Sequence, residues 1–152
     1  MNHRTRRAAS RRTLLKGAAA VALAAAFATP ALAQEPIKIG LVTALSGQSA
    51  RAGEAITRGL TIAIDELNAK GGVLGGRKFV LVRRDDEATP AKGVIAAREL
   101  LFKEKVAVLF GGLDTPVSIA IVPVVTEAKV PFMGPWAAGT PITQNGTNPN
   151  FT

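Results

Sequence analysis

Hydrophobic and polar positions follow two different periods after residue 36, and they predict that strands and helices alternate. Residues 37–43 form a short, apolar, β-branched run, which is typical of a buried strand. The next segment, from Gly53 to Lys70, carries apolar residues in steps of four, four and three, at Ile56, Leu60, Ile64 and Leu67. That spacing is the apolar stripe of an amphipathic helix, and Gly71-Gly72 ends it.

The same alternation continues to residue 133. Short apolar runs predict strands at 78–83, 106–110 and 130–133. Helices are predicted from Thr89 to Glu104 and from the segment after Pro116 to Ala128, where Pro123 is expected to kink the helix or begin a new one. Residues 135–150 are rich in Asn, Gly and Pro and are predicted to be loop.

This element order predicts an α/β fold with a doubly wound, Rossmann-like parallel sheet. Nearly continuous apolar strands are typical of parallel sheets that are covered on both faces, and right-handed crossovers wind the sheet in two directions. Ligands on such sheets bind beyond the carboxyl ends of the strands. The loops of interest are therefore Ala44 to Ala52, Gly111 to Pro116 and Gly134 to Thr140.

Residues 1–33 have the pattern of an export signal. A basic segment precedes the apolar run from Gly17 to Phe27, and Ala31-Leu32-Ala33 is a small-x-small cleavage site. The stretch from Ser10 to Lys16, with its Arg-Arg pair, resembles the twin-arginine export motif. We predict a twin-arginine-type signal peptide at 1–33, cleaved after Ala33, and a folded part at 34–152. The general secretory route, an N-terminal anchor and an Ala-rich helix are the alternatives.

Charge and composition favour binding over catalysis. The net charge is +8, from 19 basic and 11 acidic residues, but six of the basic residues and no acid lie in 1–33, so the rest carries about +2. Nucleic-acid binding is therefore not expected. There is no cysteine or tyrosine, and the one histidine is His3 within the predicted signal. This excludes thiolate metal sites, a cysteine nucleophile and a histidine base in the folded part, and we predict that the protein is not an enzyme.

No phosphate loop, dinucleotide fingerprint or nucleophile elbow is present, and we predict no cofactor and no metal. One acidic cluster, Asp85-Asp86-Glu87, follows a predicted strand. It could bind Mg²⁺ beside a phosphate substrate. The favoured interpretation is a solvated loop whose acids bond backbone N–H groups and pair with Arg83 or Arg84.

Several motifs resemble the start of leucine/isoleucine/valine-type periplasmic solute-binding proteins of ABC transporters. They are Ile37-Lys38-Ile39-Gly40, Leu45-Ser46-Gly47, Glu66-Leu67-Asn68-Ala69-Lys70-Gly71-Gly72-Val73, Asp85-Asp86 and Thr89-Pro90. The resemblance runs from Ile37 to about Thr143. It implies a type I periplasmic binding fold, in which two α/β lobes close on a ligand and the loaded form docks on an inner-membrane permease.

The resemblance also implies where a ligand would bind. The segment after the third strand matches at Asp114 and Thr115, with Ser118 one turn further, and the segment after the fourth strand matches at Trp136, Ala137 and Ala138. Thr115 could instead be a helix cap. Trp136 could pack a flat ligand or cover a loop or lobe contact. Where leucine-type members place an aromatic side chain in the first loop, this chain has Ala52, and Asp114 disfavours a plain amino-acid carboxylate unless its side chain turns away.

We therefore expect a monomeric periplasmic component of an ABC importer that captures an amino acid or a related small polar or aromatic metabolite. The alternatives are a ligand-sensing receptor domain on the same fold and a secreted flavodoxin-like enzyme or cofactor carrier. Family members are more than twice this long, so 34–152 is expected to be the N-terminal portion of lobe 1. Alone, it should leave a sheet edge and one face open and bind ligand weakly or not at all.

Overall fold

The computed structural model describes residues 34–144 and strand residues 150–151. The predicted signal peptide and its cleavage site after Ala33 lie outside the described residues. Within the described part, no helix has both the length and the apolar character needed to cross a membrane.

Strands and α-helices alternate along the described part, as the sequence pattern predicts. The strands are β1 Ile37–Thr43, β2 Phe79–Asp85, β3 Val108–Gly111, β4 Phe132–Met133 and β5 Asn150–Phe151. The helices are α1 Ala50–Ala69, α2 Pro90–Arg98, α3 Thr115–Ala128 and α4 Thr140–Thr143, and a π-helical turn, Glu99–Lys103, continues α2.

The strands form one parallel sheet in the order β2-β1-β3-β4-β5, which confirms the predicted α/β fold. In register, Ile39 lies between Leu81 on one side and Val108 on the other. The chain first moves outward from β1 to β2 and then crosses back to β3. The direction therefore reverses between β1 and β3, which is where such sheets bind ligands.

The face of the sheet beneath α2 and α3, here called the closed face, carries the main core. Right-handed crossovers place α1 on one face and α2 with α3 on the other. A Cβ at Gly93 of α2 would lie 2.5 Å from Val117 of α3, so the missing side chain lets the two helices approach closely. Fully buried apolar side chains fill the space between these helices and the sheet, including Val42, Leu100, Leu109, Ile121, Val125 and Phe132.

The opposite face carries only α1 and is partly uncovered. An apolar groove runs along α1 and over the neighbouring strands. Leu67 and Met133 at its sides are 43% and 38% exposed. We call it the open groove; it is lined by Ile39, Leu60, Ala63, Ile64, Leu67, Phe79, Val108, Phe110 and Met133.

Several boundaries differ from the predicted ones. Helix α1 begins at Ala50, and the predicted helix to Glu104 divides into α2 and the π-helical turn. Pro123 does not begin a new helix, because α3 continues through it. Its side chain faces solvent, where water can satisfy the carbonyl that loses its N–H partner. The predicted loop 135–150 contains α4 and the first residue of β5.

Candidate functional site

The three loops that were predicted to carry function lie together at the carboxyl edge of the sheet. The loop after β1 and the loop after β3 flank the point where the winding direction reverses. The loop after β3 is tied to the end of β1 by a hydrogen bond in which the Gly112 N–H donates to the Val42 carbonyl at 3.0 Å. The loop after β4 follows on the far side of β3.

The loop after β1 is held rigidly against α1. Thr43 and Ala44 are fully buried. A Cβ at Gly53 would lie 1.8 Å from the Ala44 carbonyl oxygen, so only glycine allows the first turn of α1 to pack on this backbone. Ser46, Gly47 and the next residue remain exposed, which leaves the tip of the loop accessible to a ligand.

Asp85, at the end of β2, fastens the same loop from the side. Its carboxylate accepts hydrogen bonds from the Leu45 N–H at 2.8 Å and the Glu87 N–H at 2.9 Å. Desolvation raises the pKa of Asp85. The Ser46 hydroxyl and the backbone N–H groups of Leu45, Glu87 and Ser46 outweigh that effect, so the pKa lies below its usual value. Asp85 is therefore a charged anchor of the loop.

Two glycines shape the turn after β3. A Cβ at Gly111 would lie 2.6 Å from the Phe132 ring. Gly112 has a φ of +69°, and a Cβ there would lie 1.5 Å from the Ser118 hydroxyl oxygen. Both the backbone conformation and the available space therefore require glycine at 112. The turn places Asp114 and Thr115 at the start of α3.

Asp114, rather than Thr115, occupies the N-cap position of α3. Its backbone is extended, and its side chain makes no capping hydrogen bond. Thr115 is the first helical residue and Pro116 follows it, so the interpretation of Thr115 as the helix cap is wrong. A helix N-terminus has N–H groups without helical partners and a partial positive charge, and both favour anions.

The loop after β4 meets the start of α3. A Cβ at Gly139 would lie 2.7 Å from the Thr115 methyl carbon. Trp136 is 61% exposed, whereas Ala137 is 1% exposed and belongs to the core. Ala138 is exposed. The structure thus brings the two predicted halves of the ligand site side by side, with Ala137 able to contribute only backbone groups. Their roles in binding remain predictions.

The acidic cluster matches the favoured interpretation in one respect, because Asp85 and Asp86 accept hydrogen bonds from backbone N–H groups. It differs in burial and in its ion pairs. Asp86 is 1% exposed rather than solvated. Neither arginine pairs with the cluster: Arg83 lies 3.9 Å from Glu54, and Arg84 lies 2.9 Å from Glu99. Glu87 pairs with Lys92. One signal for this burial is the glycine at position 93, because a Cβ built there would lie 3.8 Å from the Asp86 Cβ and 2.5 Å from Val117 of α3.

Asp86 is a buried acid in an environment that disfavours its charge. Burial raises its pKa, and the negative charges of Asp114 and Asp85 add to that effect. A hydrogen bond from the Ala88 N–H at 2.8 Å opposes it only in part. Among residues 34–144, no group of three or more acidic or histidine side chains is arranged to hold a metal ion.

Comparisons with known proteins agree with this geometry. The sequence model of a family described as periplasmic binding protein matches residues 36–152. The Leu/Ile/Val-binding protein homolog 7 of Brucella suis biovar 1 is 39% identical over 127 residues, which are 84% of this chain and 31% of that protein.

Two solved structures are similar in both sequence and fold. The branched-chain amino acid transporter substrate-binding protein of Streptococcus pneumoniae, in complex with isoleucine, has a TM-score of 0.71 and 31% identity, over 76% of this chain and 33% of that one. A solute-binding protein of an ABC transporter from R. palustris, in complex with benzoate, has a TM-score of 0.66 and 37% identity, over 76% and 31%. The chain spans about a third of the length of the curated relatives it matches.

Proposed function

This chain belongs to the periplasmic binding protein family, and from that premise we propose that residues 34–152 form the N-terminal part of lobe 1 of an ABC importer's solute-binding component. The observation that carries the proposal is the contact between Gly139 and Thr115, which joins the loop after β4 to the N-terminus of α3. Together these segments make one wall of a cleft at the carboxyl edge.

The chemistry of this wall suits a small anionic ligand. The N-terminus of α3 offers N–H groups to a carboxylate, with Thr115 beside them. The exposed residue Ala138 and the ring of Trp136 extend the same wall. A second lobe closing over the ligand would bury it, and the ligand would stabilise the closed form by hinge motion.

An aromatic acid or a branched-chain amino acid fits this wall best. The similar proteins from Streptococcus pneumoniae and R. palustris were solved with isoleucine and with benzoate. Trp136 is the one tryptophan of the sequence and is 61% exposed, so its ring is available to stack on a flat ligand. We place Asp114, Thr115, Trp136, Ala137 and Ala138 in the binding site.

The proposed solute-binding function implies a cellular role. Residues 1–33 direct export and are cleaved after Ala33, the protein acts in the periplasm as a monomer, and its loaded form delivers the ligand to an inner-membrane permease. Binding and delivery require no bond to be made or broken, so this role is not enzymatic.

Calorimetric titration tests the proposal. The protein from Gln34 onward, including any sequence that follows Thr152 in its gene, is titrated with benzoate and with isoleucine. We expect saturable binding of at least one, weakened about tenfold or more in Trp136→Ala if the ring stacks on the ligand. Ile62→Ala is the control, because Ile62 is 60% exposed on α1, away from the cleft wall.

Two results would count against the proposal. If neither ligand binds, the proposed ligand class is wrong. If a ligand binds unchanged to Trp136→Ala, Trp136 does not belong to the site.

A further inference from the structure

The loops at the two edges of the sheet carry opposite charge. The edge where β1 to β4 begin, here called the amino edge, consists of residues 34–36, 70–78, 104–107 and 129–131. Its acidic residues are Glu35 and Glu104, and its five basic residues are Lys70, Arg77, Lys78, Lys105 and Lys129. At the carboxyl edge, the loops that follow β1 to β4 contain three acidic residues and no basic residue.

The five basic residues of the amino edge have no acidic partner in the described part of the chain. None of them takes part in the ion pairs found there. Glu104 is occupied by Lys38 at 2.9 Å and by Arg84 at 3.2 Å. Glu35 contributes its backbone carbonyl, which accepts a hydrogen bond from the Arg77 Nε at 2.9 Å. The positive charge of this edge is therefore left uncompensated.

An apolar side chain projects beside these cations. Leu74 is 75% exposed. It stands in a turn that is closed by two hydrogen bonds between the backbones of Val73 and Arg77, at 2.8 and 2.9 Å. A Cβ at Gly72 would lie 2.2 Å from the Arg77 carbonyl oxygen, so the turn is tightly packed. Such a turn holds Leu74 in place before any partner binds, which lowers the entropy lost on binding.

A cleft of about 550 Å³ links this turn to the one before β3. Leu74 and Arg77 line it from the first turn, and Lys103 and Lys105 line it from the second. The exposed leucine and the cations of two separate loops therefore belong to one continuous surface.

Helix ends explain only part of this charge. Lys70 and Lys129 are the C-caps of α1 and α3, where cations balance the partial negative charge of a helix end. Arg77 and Lys78 lead into a strand and have no such role. Neighbouring strands lie about 5 Å apart, so four strand starts spread the cations over about 15 Å. A small anion cannot contact the whole row, whereas an extended anionic surface can.

We propose that the amino edge binds the anionic phospholipid surface of a membrane, with Leu74 inserted among the lipid headgroups. Basic residues near such a surface and an apolar side chain at headgroup depth both favour binding. The acidic carboxyl edge is repelled by the same surface, so the cleft wall at the start of α3 faces away from the lipid and stays open to ligand.

This inference goes beyond the proposed function, because it concerns the opposite edge of the sheet and needs no ligand. In the cell, the interaction would hold the protein close to the membrane that contains the permease. Ligand capture at the carboxyl edge would continue while the amino edge is bound.

Co-sedimentation with lipid vesicles tests the proposal. The protein from Gln34 onward, including any sequence that follows Thr152 in its gene, is mixed without ligand with two kinds of vesicle. One kind is phosphatidylcholine alone, and the other is phosphatidylcholine and phosphatidylglycerol in equal parts. We expect binding only to the vesicles that contain phosphatidylglycerol, and weaker binding at high ionic strength, because salt screens the attraction.

Matched substitutions locate the binding surface. Lys105→Gln should lower the partition onto phosphatidylglycerol vesicles about fivefold. Arg51→Gln removes the same charge from the first turn of α1, at the carboxyl edge, and should leave the partition unchanged. Leu74→Ala should lower it about tenfold, because apolar surface no longer enters the headgroup layer. Ile95→Ala is its control, since Ile95 is 66% exposed on α2.

Several results would overturn the proposal. They are no binding to phosphatidylglycerol vesicles, equal binding to both kinds of vesicle, and equal losses in Lys105→Gln and Arg51→Gln. Binding of soluble polyglutamate but not of vesicles would assign the edge to an acidic protein partner instead. If Lys105→Gln does not fold, Lys129→Gln gives the same comparison. Failure of benzoate and isoleucine to bind would contradict the proposed function and leave the vesicle result unchanged.

Discussion

The two faces of the sheet differ in how completely helices cover them. On the closed face, α3 buries six of its 14 residues. On the other face, α1 buries three of its 20 residues, although it is the longest helix of the described part. The strands are apolar towards both sides, as Val42 and Phe132 show on one face and Phe110 and Met133 on the other.

The apolar strands require helices over both faces of the sheet, and the described residues supply full cover for one face only. Parallel strands that are apolar on both sides need helices over both faces. One helix cannot cover the width of five strands, so apolar surface over β3 and β4 stays open beside α1. We expect a further helical segment to lie over the open groove in the whole protein.

The largest expected effect is on the free energy of unfolding, when one aromatic residue on each face is replaced by alanine. Phe132 is fully buried on the closed face, whereas Phe110 lines the open groove and is half-buried. Phe132→Ala should lower the free energy of unfolding by about 3–5 kcal/mol, and Phe110→Ala by about 1 kcal/mol or less. Urea unfolding measures both. Equal losses in a protein of residues 34–152 would show that the open groove is already covered in it.

A smaller change in stability is expected when glycines are replaced by alanine, and its sign depends on whether packing requires the glycine. Gly112→Ala should cost about 2 kcal/mol or more, because its φ is +69° and the new methyl would overlap Ser118. Gly59, within α1, has nothing within 4 Å of a built Cβ. Gly59→Ala should therefore stabilise the protein by about 0.5–1 kcal/mol. Thermal unfolding compares them, and two changes of the same sign would contradict this account.

The smallest expected effects are changes in the pH dependence of stability at the neighbours Asp85 and Asp86. Asp85 holds the loop that leads into α1, whereas Asp86 lies near α2 on the closed face. Asp85 fastens the loop that leads into α1, and its pKa is lowered by the hydrogen bonds that outweigh its desolvation. Its stabilisation is therefore present above its unfolded pKa and is lost as pH falls through the folded value. Asp85→Asn should destabilise the protein at neutral pH and much less in acid.

Asp86 should behave in the opposite way. Burial, with the charges of Asp114 and Asp85, raises its pKa. The native state then loses stability as pH rises from the unfolded pKa to the folded one. Asp86→Asn should remove that loss, so its stability relative to the unmodified protein should improve with rising pH. Stability curves for both variants against pH check the prediction, and parallel curves would refute it.

The fold could be predicted largely from the sequence because its signals are local. The period of Ile56, Leu60, Ile64 and Leu67 indicates α1, and the apolar run of β1 indicates a buried strand, and both are found at nearly the expected positions. The π-helical turn and β5 could not be predicted in this way. The five π-helical residues have the same hydrophobic pattern as the last turn of an α-helix. A two-residue strand such as β5 is recognised only from its pairing with the neighbouring strand β4.

The candidate site was predicted less completely. Position in the chain was enough to place Thr115 and Trp136 at the carboxyl edge, because strand ends gather there in any parallel sheet. The burial of Asp86 was missed, because it depends on the close approach of α2 and α3 at Gly93. From the sequence alone, three consecutive charged residues at a strand end are expected to be exposed to solvent, because the sequence does not show how the helices pack around them.

Hydrogen–deuterium exchange shows directly whether a ligand binds where α3 begins and the loop after β4 meets it. Exchange is measured on the complete protein with and without saturating benzoate or isoleucine. We expect slower exchange at residues 112–118 and 136–139 when ligand is bound, with exchange in α1 at 58–66 unchanged. Ligand binding that leaves both of those loops unprotected would contradict it.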